Sequence, residues 1–123
     1  MKFFTPQEAN LRLPYIRKIV DDILVKGKRL QAFAILPHQT SDIQQEGRHL
    51  EEEINALMKE LEAIGCYFKD WNFEIGLVDF PAIIHGKEVL LCWRSDEPAV
   101  EWFHGFQDGY SARMPITKDL VIS

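Results

Sequence analysis

Residues 76–94, GLVDFPAIIHGKEVLLCWR, decide how this chain folds. Two runs rich in β-branched and aromatic side chains, Gly76 to Ile84 and Lys87 to Arg94, flank the dipeptide His85-Gly86. An X-Gly link between such runs signals a two-residue β-hairpin, here a type I′ turn with His85 at positive φ. Turn length sets the register, so Val78 should face Trp93, Phe80 should face Leu91, Asp79 should face Cys92, and Leu77 should lie opposite Arg94. Asp79 is the exception in an otherwise apolar strand. A buried carboxylate there needs a partner, and Arg94, diagonal to it on the same face, is the expected one. Pro81 lacks an amide donor, which places this strand at a sheet edge or breaks it there.

N-terminal to this hairpin the apolar period changes from two to between three and four. Thr5-Pro6-Gln7-Glu8 reads as a capping box with proline at the first helical position. Behind it Ala9, Leu13, Ile16, Val20, Ile23, Gly27, Leu30 and Ala34 mark one helical stripe. Pro14 should kink this helix, and Pro37 with the polar run His38 to Asp42 should close it. A second stripe, Ile43, Gly47, Leu50, Ile54, Leu57, Leu61 and Ile64, ends at Gly65, a left-handed cap. Joined by a short loop, the two must pack antiparallel. One register pairs every seam position: Leu13 with Ile64, Ile16 with Leu61, Val20 with Leu57, Ile23 with Ile54, Gly27 with Leu50, Leu30 with Gly47, and Ala34 with Ile43. In that register Gly27→Leu should splay the hairpin.

C-terminal to Arg94 the pattern is weaker. Cys66 to Lys69 reads as a short strand before the hairpin, and Asn72 to Ile75 as a turn. Residues 95–98 form a turn, and Ala99 to His104 alternate as a third strand, with a short helix from Pro98 as the alternative. Gly105 to Tyr110 is a glycine-punctuated loop, and Leu120 to Ile122 a candidate edge strand. The fold class expected is α+β: a single domain, residues 1–123, with a helical hairpin (5–64) whose outer positions Ile19, Phe33 and Met58 cover an aromatic-rich antiparallel meander (65–123).

Composition narrows the function classes. At 123 residues the chain has no room for a two-domain cofactor enzyme. Net charge is −5, which disfavours nucleic acid and anionic lipid. Divided by segment it is +4 over residues 1–36, −5 over 37–64 and −4 over 65–123. The basic stretch Lys26, Lys28 and Arg29 therefore has an acidic helix to fold against. No apolar run is long enough to span a membrane and no signal-peptide pattern opens the chain, so a cytoplasmic location is expected. Cys66 and Cys92 belong to no Cys-x-x-Cys pair and read as reduced thiols. Of 14 aromatic residues ten lie between Tyr67 and Tyr110, including Trp71, Trp93 and Trp102.

Several segments together, Glu8-Ala9-Asn10 with Leu13-Pro14, Gly76-Leu77-Val78-Asp79-Phe80-Pro81-Ala82, Leu91-Cys92-Trp93, Glu97, Trp102, His104, Gly109, Arg113 and Pro115-Ile116, carry a likeness. They resemble the prokaryotic family catalogued as domain of unknown function 2203, over about residues 3–116. The resemblance implies a small prokaryotic protein with a helical hairpin and an aromatic C-terminal part, and it implies no activity.

Two functions fit these residues. The first is an interaction or structural module that forms a homodimer through its helices. The second is a metal- or small-molecule-binding protein, enzymatic in one version. Its candidate ligands for zinc or a similar divalent ion are Asp79, Cys92, Glu97 and His104, a thiol, an imidazole and carboxylates being an acceptable donor set. Asp79, Arg94, Arg113 and Trp102 are the candidates for holding a ligand, the arginines positioning an anion. Glu46-x-x-His49 with Glu53 has di-iron-type spacing, but it stands alone on a helix flank and reads as a solvated face. No Gly-x-Ser-x-Gly elbow or phosphate loop is present.

Overall fold

The computed structural model describes residues 1–70 and 72–122. Trp71, counted above with the aromatic cluster, lies outside the described residues. The architecture is α+β. Helices α1 (Pro6–Ala34) and α2 (Ser41–Ile64) precede five strands, β1 (Tyr67–Phe68), β2 (Leu77–Ile84), β3 (Lys87–Arg94), β4 (Trp102–Gly105) and β5 (Met114–Pro115). The strands form one antiparallel sheet in sequence order, with a turn of 3₁₀ helix at Tyr110–Ala112 between the last two. No helix among the described residues is long and apolar enough to cross a membrane.

Helix α1 begins as its sequence requires: the Glu8 amide donates to Thr5 Oγ1 at 3.2 Å and the Thr5 amide donates to Glu8 Oε1 at 3.2 Å. It continues through Pro14 to Ala34. Thr40 caps α2 by accepting the Ile43 amide, and Gly65 ends it at φ 109°. The antiparallel seam holds Leu13, Ile16, Val20 and Ile23 of α1 against Leu50, Ile54 and Leu61 of α2, all buried. Flanking contacts fit the expected register, with Lys26 Nζ 2.7 Å from Glu53 and Tyr15 Oη donating to Glu60 at 3.5 Å. Arg29 pairs with Glu46 near the connecting loop. The basic and acidic helices thus neutralise one another along the hairpin. His49 also pairs with Glu53, at 2.9 Å, so Glu46, His49 and Glu53 are all spent on surface ion pairs.

Gly47 lies beside Leu30 as the seam register requires, and Gly27 has a second role that the seam does not announce. A Cβ on Gly27 would stand 2.2–2.7 Å from the Phe73 ring. The glycine on the seam therefore also receives the loop before β2, a neighbour that the pairing with Leu50 does not supply. Phe73 reaches it from a left-handed backbone, φ 58°, and stacks on Phe68 with ring centroids 6.4 Å apart. Asp70 accepts the Asn72 and Ile75 amides and Gln31 donates to the Asn72 carbonyl, which holds this bend against α1. Phe33 also departs from expectation: it lies under the Arg29 guanidinium near the end of α1 and outside the core, whereas Ile19 and Met58 do join it.

The β2–β3 register is the one derived from the His85-Gly86 turn, whose φ angles are 52° and 75°. One face of the sheet presents Val78, Phe80, Ala82 and Ile84 with Val89, Leu91, Trp93 and Phe103 to the helices, forming the core. The opposite face carries Asp79 and Pro81 on β2, Leu90 and Cys92 on β3, and Trp102 and His104 on β4. Pro81 is accommodated because β1 pairs only with Val78 and Asp79. Beyond that point β2 is in effect an edge, closed by Phe4, whose amide donates to the Pro81 carbonyl at 2.7 Å. Further along, the tail adds a single bridge, Ile84 to Ile122, in place of a full strand. Residues 102–105 are strand, so the helical alternative after Pro98 is not adopted. Asn10 grips the approach to β4 by accepting the Val100 amide at 2.8 Å and donating to the Val100 carbonyl at 3.3 Å.

Gly27→Ala should discriminate the packing role of this glycine from its helical propensity. In an exposed helix the change would stabilise by about 1 kcal/mol. Here the added Cβ must displace the Phe73 ring, so urea unfolding should report a loss of about 1–3 kcal/mol. Adding Phe73→Ala should remove the clash, and strictly additive losses in that double variant would contradict it.

Candidate functional site

The outer face of the sheet brings three of the four candidate metal ligands together. Asp79 is on β2, Cys92 faces it on β3, and His104 is on β4 opposite Leu90. One donor atom from each lies within 4.8 Å of the others, and all three residues are buried. Alternation explains the grouping. With Phe80, Leu91 and Phe103 committed to the core, their neighbours along each strand must point the other way.

His104 Nδ1 lies 2.9 Å from the Gly105 carbonyl oxygen. A carbonyl only accepts, so Nδ1 carries a proton and Nε2 is turned towards Asp79 Oδ1 at 3.3 Å. A hydrogen bond between Nε2 and the carboxyl then requires a proton on one of the two. Burial pushes the Asp79 carboxyl above its usual range, and the His104 ring and Lys69 oppose that rise. The Cys92 thiol hydrogen-bonds to Asp79 and is pushed up to about 12, by burial first and by the neighbouring carboxylate second. At neutral pH it is a thiol, which makes it a poor nucleophile without help.

Glu97, the fourth candidate ligand, is committed elsewhere. Its two carboxylate oxygens each accept from Arg113 at 2.8 Å, and one also accepts the Arg94 amide at 2.8 Å. Burial would raise its pKa, but these donors prevail and hold it below the usual carboxylate range. Arg113 lies over the Trp102 ring at 4.8 Å and the Tyr110 ring at 4.4 Å, with Nη1 4.0 Å from Cys92 Sγ. Trp102 and Arg113 therefore wall the thiol's side of the cluster. Arg94 is not the partner of Asp79: it pairs with Asp96 at 2.6 Å and donates to the Tyr110 hydroxyl. The turn after β3 brings an aspartate closer to Arg94 than the diagonal neighbour across the strands, and His104 takes the vacated role.

A pocket of about 290 Å³ opens on the cluster, walled by Lys69, Leu77, Leu90, Phe106, Asp108 and Tyr110 among others. The sequence reading did not select Lys69, Leu90 or Phe106. The available signal was the glycine-flanked segment Gly105 to Gly109, a loop following directly on the strand that carries His104.

The model of the family described as an uncharacterized conserved protein, DUF2203, matches residues 2–116 of this chain. The chain belongs to that family. The matched stretch includes Asp79, Cys92, His104 and Arg113. No match was found among curated proteins or solved structures.

Two predictions follow from these environments. Arg113→Met leaves the Glu97 carboxylate largely buried beside an apolar chain, and should cost about 3 kcal/mol by urea unfolding at neutral pH. That loss should shrink in acid. Glu97 contributes stability above its unfolded pKa that disappears as pH falls through its lowered folded value, so a loss independent of pH would contradict the assignment. Cys66 and Cys92 have the opposite sign. The folded thiols keep their protons to about 12 while the unfolded thiols release them near 9.0, so stability should fall between those values. Cys66→Ser should flatten that alkaline decline; an unchanged slope would show that Cys66 titrates normally in the fold.

Proposed function

We propose that this protein binds one divalent transition ion, zinc on the chemistry of its donors, through Asp79 carboxylate, Cys92 thiolate and His104 Nε2. The observation that carries the reading is the convergence of three unlike donors, all buried, with the histidine oriented by a hydrogen bond from its other nitrogen. Bond lengths of 2.0–2.3 Å around a tetrahedral ion imply ligand-to-ligand edges of about 3.3–3.7 Å. The Asp79–His104 separation of 3.3 Å already meets that range, and the remaining approach is within reach of side-chain adjustment.

Binding would displace the proton between Asp79 and His104 and the Cys92 thiol proton. Arg113 beside the sulfur favours the thiolate, and Glu97 cancels the arginine's charge towards the ion. Three protein ligands would leave a fourth position open, and the three residues line the pocket. That is the arrangement of catalytic zinc sites, where the ion acts as a Lewis acid and lowers the pKa of its water to about 7. Self-association through the hairpin has no comparable cluster of groups behind it, since the seam residues serve the packing of α1 on α2 within one chain.

Elemental analysis of purified protein after dialysis against zinc should give one ion per chain. His104→Ala and Cys92→Ser should each abolish it, with circular dichroism showing that the variants fold. Affinity should rise with pH by about tenfold per unit for each proton released. Wild-type protein that takes up no zinc, or variants that retain it, would refute the assignment.

A further inference from the structure

The cluster lies at one end of a longer depression on the outer face of the sheet. Next to its pocket is a second one of about 240 Å³, against Tyr67, Pro81, Leu90 and Phe106. Lys69, Leu90 and Phe106 wall both, so the two adjoin. Their chemistry differs sharply. The first offers a carboxyl, a thiol and an imidazole, whereas the second is lined by the side chains of Met1, Tyr67, Pro81, Leu90 and Phe106, apolar for the most part apart from Lys69. Tyr67 and Phe106 are 37% and 42% exposed, so both rings present apolar surface to solvent at the cavity.

The metal and the position of Lys69 specify the head of the occupant. A divalent ion held by the Asp79 carboxylate and the Cys92 thiolate is electrically neutral, and Glu97 neutralises Arg113. Lys69 and Asp108 offset one another as walls of the first pocket, but of the two Lys69 alone also reaches the junction with the second, so an acid bound at the open metal position and extending that way would have an ammonium beside its head. Sheet geometry specifies the tail. Pro81, Leu90 and His104 form one row across β2, β3 and β4. From His104 to Pro81 is two strand spacings, about 10 Å. A chain starting at the metal would therefore run over Leu90, beneath Phe106, towards Pro81 and Tyr67.

Resting on the metal reading, we propose that this groove binds a small amphiphile, a carboxylate whose head takes the open metal position and whose unbranched apolar chain fills the second pocket. The test uses the full chain loaded with cobalt(II), whose visible bands report the metal's coordination, titrated with acetate, butyrate, hexanoate and octanoate. Each added methylene should tighten binding by about two- to fourfold, as partial to full burial of a CH₂ requires. Tyr67→Ser should flatten that chain-length dependence while leaving acetate affinity unchanged, and Phe106→Ser should flatten it as well; both side chains are exposed enough to be replaced without loss of the fold. Lys69→Gln should weaken all four acids by a common factor. Cobalt bands that respond equally to acetate and octanoate overturn the amphiphile and leave the metal site standing. A chain that takes up no cobalt overturns both.

Discussion

A slip of one residue between β2 and β3 would turn Asp79 and Cys92 into the hydrophobic core and Phe80 and Leu91 out to water. The register of this pair is the constraint on which the rest depends. It is held locally by the His85-Gly86 turn, whose left-handed angles only a short list of residues adopts readily, and globally by burial of Phe80, Leu91 and Trp93 under α1. These two determinants agree. Because strand residues alternate, burying one face under the helices commits the other to whatever lies between the core positions, and here that is a carboxylate, a thiol and an imidazole.

Those three groups sit in a setting that burial makes expensive. An apolar trio would pack the outer face at no electrostatic cost, whereas each polar group buried there must find a partner. All of them have one: Asp79 has His104 and Cys92, His104 has the Gly105 carbonyl, and Arg113 has Glu97. Among the described residues no buried side-chain nitrogen or oxygen is left without a hydrogen bond. The cluster is thus satisfied without an ion, yet it is held together by exchangeable protons that an ion could replace.

Much of the fold was legible because it follows from rules of short range. The capping box at Thr5, the left-handed cap at Gly65, the two helical stripes and the His85-Gly86 turn each declare themselves within a few residues. The antiparallel seam was readable because a short loop leaves only one sense of packing, and complementary charge on the flanks confirms the pairing. Asp79, Cys92 and His104 could be named as candidates on donor chemistry and alternation alone. Partners were harder to assign. Strand geometry points Arg94 to Asp79, but Asp96, two residues along the chain, competes at lower entropic cost. Residue type alone places Glu97 with the metal donors, and the rival claim comes from Arg113, beyond the last long strand. Gly27 looked like a seam residue because its spacing fits one, and nothing near it announces that the Phe73 ring arrives from a bend forty-six residues later.

The sequence by itself determined the α+β class, the hairpin registers and which face of β2 and β3 each side chain takes, since these rest on periodicity and turn chemistry that operate between near neighbours. Only the tertiary structure decided which polar groups meet. That choice depends on where β4 and the 105–113 segment close over the outer face, and their position is set by distant anchors, Asn10 on Val100 and Arg17 on the carbonyls of Glu97 and Pro98. Contacts between parts of the chain far apart in sequence carry no local periodicity, so they become definite only when the core has formed and fixed the elements that bear them.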